Sequence, residues 1–472
     1  MLQTLTFSAS RNTIMKFGTS SFSCVVRLLL GFFSALSFSA AISSQALSFG
    51  GANSYYLYAY RTNDQIRVLD AMQAAGMKTL RIFITHNWVN QKGSNNYAVS
   101  DVESPVGVYD DTILSMIDTL MLRTQQRGIK LIIALHDRYS LGCWSSDAYV
   151  LKYKIPVSSD CGSRPSDNDL TAFYKSADAA ADMDRRFAHI VAHRNPNFGN
   201  LPWSNIPEAI LGFDIQNEGQ GHLRNGDIPN RNWICERASQ LKPRLATGVL
   251  VVSGGGADIW DSALDEHFKC PYIDVISVHS YAASSWASAL PPVIQKATSY
   301  GKRVIVEEFG STGLSTKAAG LRSQIAVFQN LGIPWMVWQV NKPNNYDDFE
   351  VFTTDTASWS VLSNGAKAAI GLQGAFSWPE LTSGGAPEPN VVVNRPPSPT
   401  PSSPKKMPPT SGNNKCNKCN VPLCRGGCWC DNNCDCKPGS GGDTCDKCNI
   451  PQSQGGCKCD NVCGCKPASC WS

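Results

Sequence analysis

The feature that most constrains this chain is a recurrence. Eight short β-rich apolar runs follow one another, separated by stretches that carry helical signals. The runs are LSFGGANSYYL from Leu47, TLRIFITH from Thr79, KLIIALHD from Lys130, ILGFDIQNE from Ile210, GVLVVSGGG from Gly248, DVISVHSY from Asp274, RVIVEEFG from Arg303 and WMVWQVN from Trp335. Most are nearly continuous in apolar residues, as parallel strands covered on both faces must be. Between them, Ile66, Leu69 and Met72 share a helical face before Gly76, and Ile113, Met116, Ile117 and Leu120 share another before Gly128. Eight strands alternating with helices over about 300 residues predict an α/β fold, a closed (β/α)8 TIM barrel. An open doubly wound sheet would want a Gly-rich phosphate loop after its first strand, and SFGGANS lacks the G-x-G-x-x-G spacing. Gly254 to Gly256, after the fifth run, read as tight-turn chemistry.

What flanks the barrel differs from it in composition. Residues 1–46 contain no acid, carry Arg11, Lys16 and Arg27, and run through LLLGFFSALSFSAA to a small-residue end at Ala46, the order of a secretory signal peptide. Residues 47–378 form the barrel domain, and residues 379–414, centred on NRPPSPTPSSPKKMPPT, have too few apolar groups to fold and read as an extended linker. The tail, 415–472, is an internal repeat of two modules, 415–438 and 444–472. Cys416, Cys419, Cys428, Cys430, Cys434 and Cys436 recur 29 residues later as Cys445, Cys448, Cys457, Cys459, Cys463 and Cys465.

Removing the first 46 residues lowers the formal charge from +4 to +1, which argues against nucleic acid or an anionic membrane as a partner. The chain is then expected to be extracellular and a monomer, with no membrane contact after cleavage. Cysteines in an oxidising compartment pair, so disulfides are expected in the tail and at Cys143-Cys161 and Cys235-Cys270, each pinning a loop on the barrel. Cys24 leaves with the signal, making the mature count even.

A parallel barrel does its chemistry at the C-terminal ends of its strands. The residues found there are Arg81 and His86, His136 and Asp137, Asn217 and Glu218, His279 and Tyr281, Glu307 and Glu308, and Trp338. Cleaving a glycosidic bond needs one carboxylic acid to protonate the leaving oxygen and a second carboxylate to meet the charge at the anomeric carbon. Glutamates ending strands four and seven supply both. Neighbours on a strand face opposite ways, so only one of Glu307 and Glu308 is expected to face the mouth. Nothing in these motifs calls for a metal or an organic cofactor.

Asn217-Glu218, His279-Ser280-Tyr281 and Glu308-Phe309-Gly310, in that order at strand ends, resemble the clan A glycoside hydrolases, and within them family 5. The resemblance spans Gly50 to Ala368 and implies Glu218 as acid/base and Glu308, before the aromatic-Gly pair, as nucleophile. It further implies that Asn217 bonds the sugar 2-hydroxyl, that Arg81 and Tyr281 hold the nucleophile, and that His136, His279 and Trp338 line the cleavage subsite. One departure is Gly219-Gln220-Gly221-His222, standing where the family commonly has proline after the acid/base, which reads as a looser loop. Asn53, Tyr55, Tyr56 and Trp286 resemble the family's mannanases and Leu135-His136-Asp137 its cellulases, so β-1,4-mannan stands slightly ahead of β-1,4-glucan. A secreted retaining endo-glycanase acting on plant- or wall-type polysaccharide is the expectation. An inactive glycan-binding or wall-structural protein on the same barrel is the alternative. Trp88 and Trp144 are expected to stack on sugars, and Trp429 and Trp471 offer such surfaces in the tail, which resembles small modules that hold polysaccharide or anchor to a wall.

Overall fold

Each apolar run contains one strand of a closed parallel barrel in the computed structural model, which describes residues 48–157, 170–221, 223, 227–282, 284–342, 348–382, 457–459 and 465–467. The strands are β1 (Gly50–Asn53), β2 (Thr79–Phe83), β3 (Lys130–Ala134), β4 (Ile210–Asp214), β5 (Leu250–Val252), β6 (Val275–His279), β7 (Arg303–Phe309) and β8 (Trp335–Val337). They pair in chain order, and β1 pairs β8 through Gly50 with Trp335 and Ala52 with Val337, which closes the ring and leaves no barrel edge open. The signal segment, the linker beyond Thr382, and nearly all of the Cys-rich modules lie outside the described residues.

Two layers of apolar side chains hold the ring. Leu80, Ile82, Leu131, Ile133, Ile276, Val278, Val304 and Val306 face outward and are buried beneath the helices. Ile132, Leu250, Val252, Val275, Ile305 and Met336 fill the interior. The covering helices bury one stripe each. Thr112–Gln125 sets Ile113, Leu114, Ile117, Leu120 and Met121 inward, with Met116 at the margin. In Thr62–Ala74 it is Val68, with Leu69 and Met72, that is fully buried, while Ile66 is only half-buried.

The N-terminal face of the barrel is sealed by the two ends of the folded region. Phe49 meets Trp378 edge-on with ring centroids 5.2 Å apart, and the Arg303 guanidinium lies 4.7 Å from the Trp378 ring while pairing with Glu380 at 2.7 Å. The fold thus continues past the expected boundary at Trp378 into a short 3-10 turn, Pro379–Leu381.

Two strands carry an extra residue. Against β3, β4 advances from Ile210 to Gly212 while its partner moves one place. Against β6, β7 advances from Val306 to Glu308 while β6 moves from Val278 to His279. The chain separates into two units, Met1–Val391 and Val392–Ser472. In the second, β9 (Cys457–Cys459) and β10 (Cys465–Pro467) pair antiparallel. Among the described residues no helix is long and apolar enough to cross a membrane.

Candidate active site

Polar side chains collect at the C-terminal ends of β2, β4, β6 and β7 around one fully buried cation, Arg81. Its Nε donates to Asp214 Oδ2 at 2.6 Å and its Nη2 to Asn217 Oδ1 at 2.8 Å. Nη1 donates to Glu308 Oε1 at 2.5 Å and to Asn53 Oδ1 at 3.2 Å. A planar guanidinium offers donors in fixed directions, so one side chain sets the positions of three strand ends at once. Tyr281 Oη donates to the other Glu308 oxygen at 2.8 Å. Asn217 is held from the far side, its Nδ2 donating to Asp137 at 2.9 Å.

Of the two neighbours only Glu308 opens on the mouth, yet Glu307 does not turn to the outer face of the barrel. A bulge breaks the two-residue alternation, and both carboxylates reach Arg81, Glu307 at 3.4 Å and Glu308 at 2.5 Å. Glu307 is fully buried beneath; Glu308 opens into the cleft. Between them and Glu218 stands His279, with Nδ1 3.3 Å from Glu218 Oε1 and Nε2 3.2 Å from Glu307 Oε2. Gly255 leaves room for this ring, since a Cβ there would lie 2.3 Å from Nε2.

The protonation of the cluster follows from these contacts. Burial alone would lower His279, but the Glu308 charge and the hydrogen bonds to Glu218 and Glu307 push it up to about 10. Burial and the Glu307 charge push Asp214 up to about 7 against the pull of Arg81. Burial would likewise raise Glu307, yet Arg81 and His279 hold it below the ordinary range. Glu308 is raised by burial and by Glu218, with His279, Arg81 and Tyr281 drawing it back.

Glu218 sits just past β4 with φ 47°, a left-handed conformation uncommon for a side-chain-bearing residue. The segment after it is not loose. A Cβ at Gly219 would lie 2.8 Å from Ile234, and one at Gly221 2.8 Å from the Ala257 nitrogen, so the glycines allow close packing. Gln220 between them is buried, exchanging two 2.8 Å hydrogen bonds with the Asn230 backbone. His222 lies outside the described residues.

The cluster forms the floor of a cleft of about 440 Å³ lined by Tyr55, Phe83, Lys92, Asp137, Tyr139, Cys143, Trp144, Asn217, Glu218, Tyr281, Glu308, Trp338 and Phe349. Trp338 stacks on Tyr55 at 5.6 Å and on Phe83 at 5.7 Å, a rigid apolar wall beside Glu308. Trp144 meets Trp88 edge-on at 5.1 Å. Of the residues predicted at this mouth, Asp137, Asn217, Glu218, Tyr281, Glu308 and Trp338 line the cleft, and Arg81 lies beneath it.

His136 and His279 do not line it. His136 is buried with Nδ1 3.1 Å from Gln216 and Nε2 3.2 Å from Asp147. Trp286, expected near the sugar, is a core residue bonding Gln324 at 3.0 Å. The sequence reading missed Phe83, Lys92, Tyr139 and Phe349 as cleft residues. Phe83 was within reach of it, since it shares the inward face of β2 with Arg81; the others sit on loops without periodicity. Cys235 and Cys270 are joined, Cα to Cα 5.6 Å, and Cys143 is also disulfide-bonded. Cys161 lies outside the described residues.

The chain matches the sequence family described as Cellulase (glycosyl hydrolase family 5) over residues 43–344. Among solved structures, the endo-beta-1,4-mannanase from Thermotoga petrophila superposes with a TM-score of 0.54 at 17% identity, covering 69% of this chain and 78% of that one. The endo-1,4-beta-mannanase from Rhizomucor miehei gives 0.53 at 18% identity over 68% of this chain and 94% of its own. A family 5 mannosidase from the same organism gives 0.51 at 14% identity, over 68% and 93%. At these identities the likeness is one of fold. No curated protein sequence matches the chain significantly.

Proposed function

Because the chain belongs to glycosyl hydrolase family 5, we propose that it is a retaining endo-β-1,4-glycanase in which Glu308 is the nucleophile and Glu218 the acid/base. The observation that carries this reading is a distance. Carboxylate oxygens of Glu218 and Glu308 lie within 4.8 Å of each other on the cleft floor, close to the roughly 5–5.5 Å separation of carboxyls that form a covalent glycosyl-enzyme.

The roles follow from the contacts. Glu308, fixed by Arg81 and Tyr281 on its two oxygens, attacks the anomeric carbon while Glu218 protonates the departing oxygen. Asn217, its own oxygen occupied by Arg81 and its amide nitrogen by Asp137, is immobile and presents a fixed edge to the 2-hydroxyl. Trp338 carries the face of the sugar being cleaved. In the second step Glu218 takes a proton from water, which attacks the glycosyl-enzyme and returns the electron pair to Glu308.

Mannan is the first substrate to test, since Asn53, Tyr55 and the His279-x-Tyr281 pair favour it and the mannanases named above share the fold; β-1,4-glucan is the second. The N-terminal segment supports secretion into the extracellular space, and the Cys-rich modules support contact with polysaccharide or cell wall. The test is reducing-sugar release from mannans, glucans and xylans. Wild type is expected to act on one class, Glu308→Ala to fall to background and Glu218→Ala to lose about 10²–10⁴-fold. A wild type inactive on every substrate, or a Glu308→Ala variant that keeps its rate, overturns the enzyme reading in favour of a glycan-binding protein.

A further inference from the structure

We propose that Glu307 is a positioning residue that, acting through His279, holds in place the proton Glu218 spends on the leaving group. The inference rests on the roles given above for Glu218 and Glu308. It starts from a ring whose two nitrogens both face carboxylates, Glu218 Oε1 at 3.3 Å from Nδ1 and Glu307 Oε2 at 3.2 Å from Nε2. A neutral imidazole has one N–H, so its bare nitrogen would press a lone pair against a carboxylate. The ring and the two acids are therefore stable only with an additional shared proton. Either the imidazole carries both protons, or one carboxyl holds the second.

Glu307 decides between these arrangements. It is fully buried, ionised beside Arg81 at 3.4 Å, and on the inward face of β7 with Ile305, under the ring. An ionised Glu307 keeps Nε2–H donated toward it, which leaves Nδ1 as the nitrogen that exchanges a proton with Glu218. The other groups facing this unit are Arg81 from β2, Asp137 beyond β3, Asp214 from β4, Glu308 from β7 and Tyr281 beyond β6. Among these only Arg81 carries a fixed positive charge, and the carboxylates are expected to favour protonation of the ring.

The proton account balances over the cycle. With the shared proton on Glu218, its O–H bond breaks as the glycosidic oxygen takes that proton, which leaves Nδ1 bare beside the new carboxylate and the unit one proton short, set to take one back. When water attacks, its proton passes to Glu218, its oxygen bonds the anomeric carbon, and the bond to Glu308 breaks with its electron pair returning to that residue. Glu307 gains and loses nothing; it keeps Nε2 protonated throughout.

Glu307→Gln removes a negative charge from under the ring and lowers the proton affinity of the unit. The alkaline limb of the kcat profile is then expected to move down by about one pH unit, with KM changed less than about twofold. Glu307→Asp keeps the charge and is expected to keep the limb where it is in wild type, even with a lower kcat. A Glu307→Gln profile that overlays wild type, or a loss confined to KM, overturns the proposal. A second measurement needs neither variant nor activity. Nitrogen-15 NMR of the intact protein at pH 7 is expected to show His279 protonated at both nitrogens or sharing the Nδ1 proton, with Nε2 protonated in either case. A ring with bare Nε2 overturns the proposal even if the glycanase reading stands.

Discussion

Arg81 is the residue on which the site turns, because its fork reaches four side chains at once, Asp214, Asn217, Glu308 and Asn53. Lysine keeps the charge and loses the fork. Arg81→Lys is therefore expected to lower kcat by at least about 10²-fold while the fold persists, which steady-state kinetics beside a thermal melt would show. An unchanged kcat would mean that Glu308 is oriented by Tyr281 alone. At this scale the sequence was informative about identity and poor about depth. Glu218, Glu308, Asn217 and Arg81 were legible because polar residues ending apolar strands are few. His136 and His279 end strands in the same way, yet they lie beneath the cleft, and no spacing in a single strand tells floor from foundation. For Glu307 the alternation of neighbours says nothing of how close the residue turned from the mouth comes to Arg81. Alternation holds within a regular strand, and the extra residue in β7 is visible only in its pairing with β6 and β8.

Among the elements, the loop after β2 and the segment after β8 meet across the end of β1. Lys92, left-handed at φ 50°, reaches from the first to Asp348 at 2.9 Å and to Glu350 on the second, and Phe349 between those acids lines the cleft. Gln91 is tied to Tyr55 from the same loop. With Lys92 and Asp348 both about a third exposed, the pair contributes less than about 1 kcal/mol to stability; its effect is on where Phe349 and Tyr55 stand. Lys92→Ala is expected to raise KM about 3–10-fold with kcat nearly kept, measured on a short oligosaccharide and on polymer. A fall in kcat at constant KM would point to the chemistry instead. The eight strands and their order were legible because buried parallel strands are apolar throughout. Their lengths were not, since each run continues into a loop whose polar residues are shaped by neighbours from other strands. The glycines after Glu218 illustrate this: read alone they suggest a loose loop, and against Ile234 and Ala257 they are what lets it pack.

For the whole molecule, stability and chemistry draw on separate parts. His193, just after the helix Ala177–Ala192, has Nδ1 3.1 Å from Asp111 and Nε2 2.9 Å from Asp118. Burial would lower it, but the hydrogen bonds and charges of Asp118 and Asp111 raise it. A group raised on folding stabilises fully below its unfolded value, near 6.5, and that stabilisation is lost as pH climbs through the raised value. Urea unfolding from pH 6 upward should show stability falling. His193→Gln is expected to flatten the curve and to be less stable at pH 6 by about 1 kcal/mol, with kcat unaltered. Equal slopes for the two proteins would remove His193 as the cause. The seal on the opposite face has its own consequence. Phe49 and Trp378 lie near the two ends of the barrel domain, and β1 and β8 are the first and last strands of the barrel. While the chain is being synthesised, β1 gains β2 early but must wait for its second partner, β8, which emerges nearly 300 residues later. Until then the growing barrel is a ribbon with two free edges, open to pairing with other nascent chains, and Trp378, which follows β8, can seat on Phe49 only once the last strand has been made.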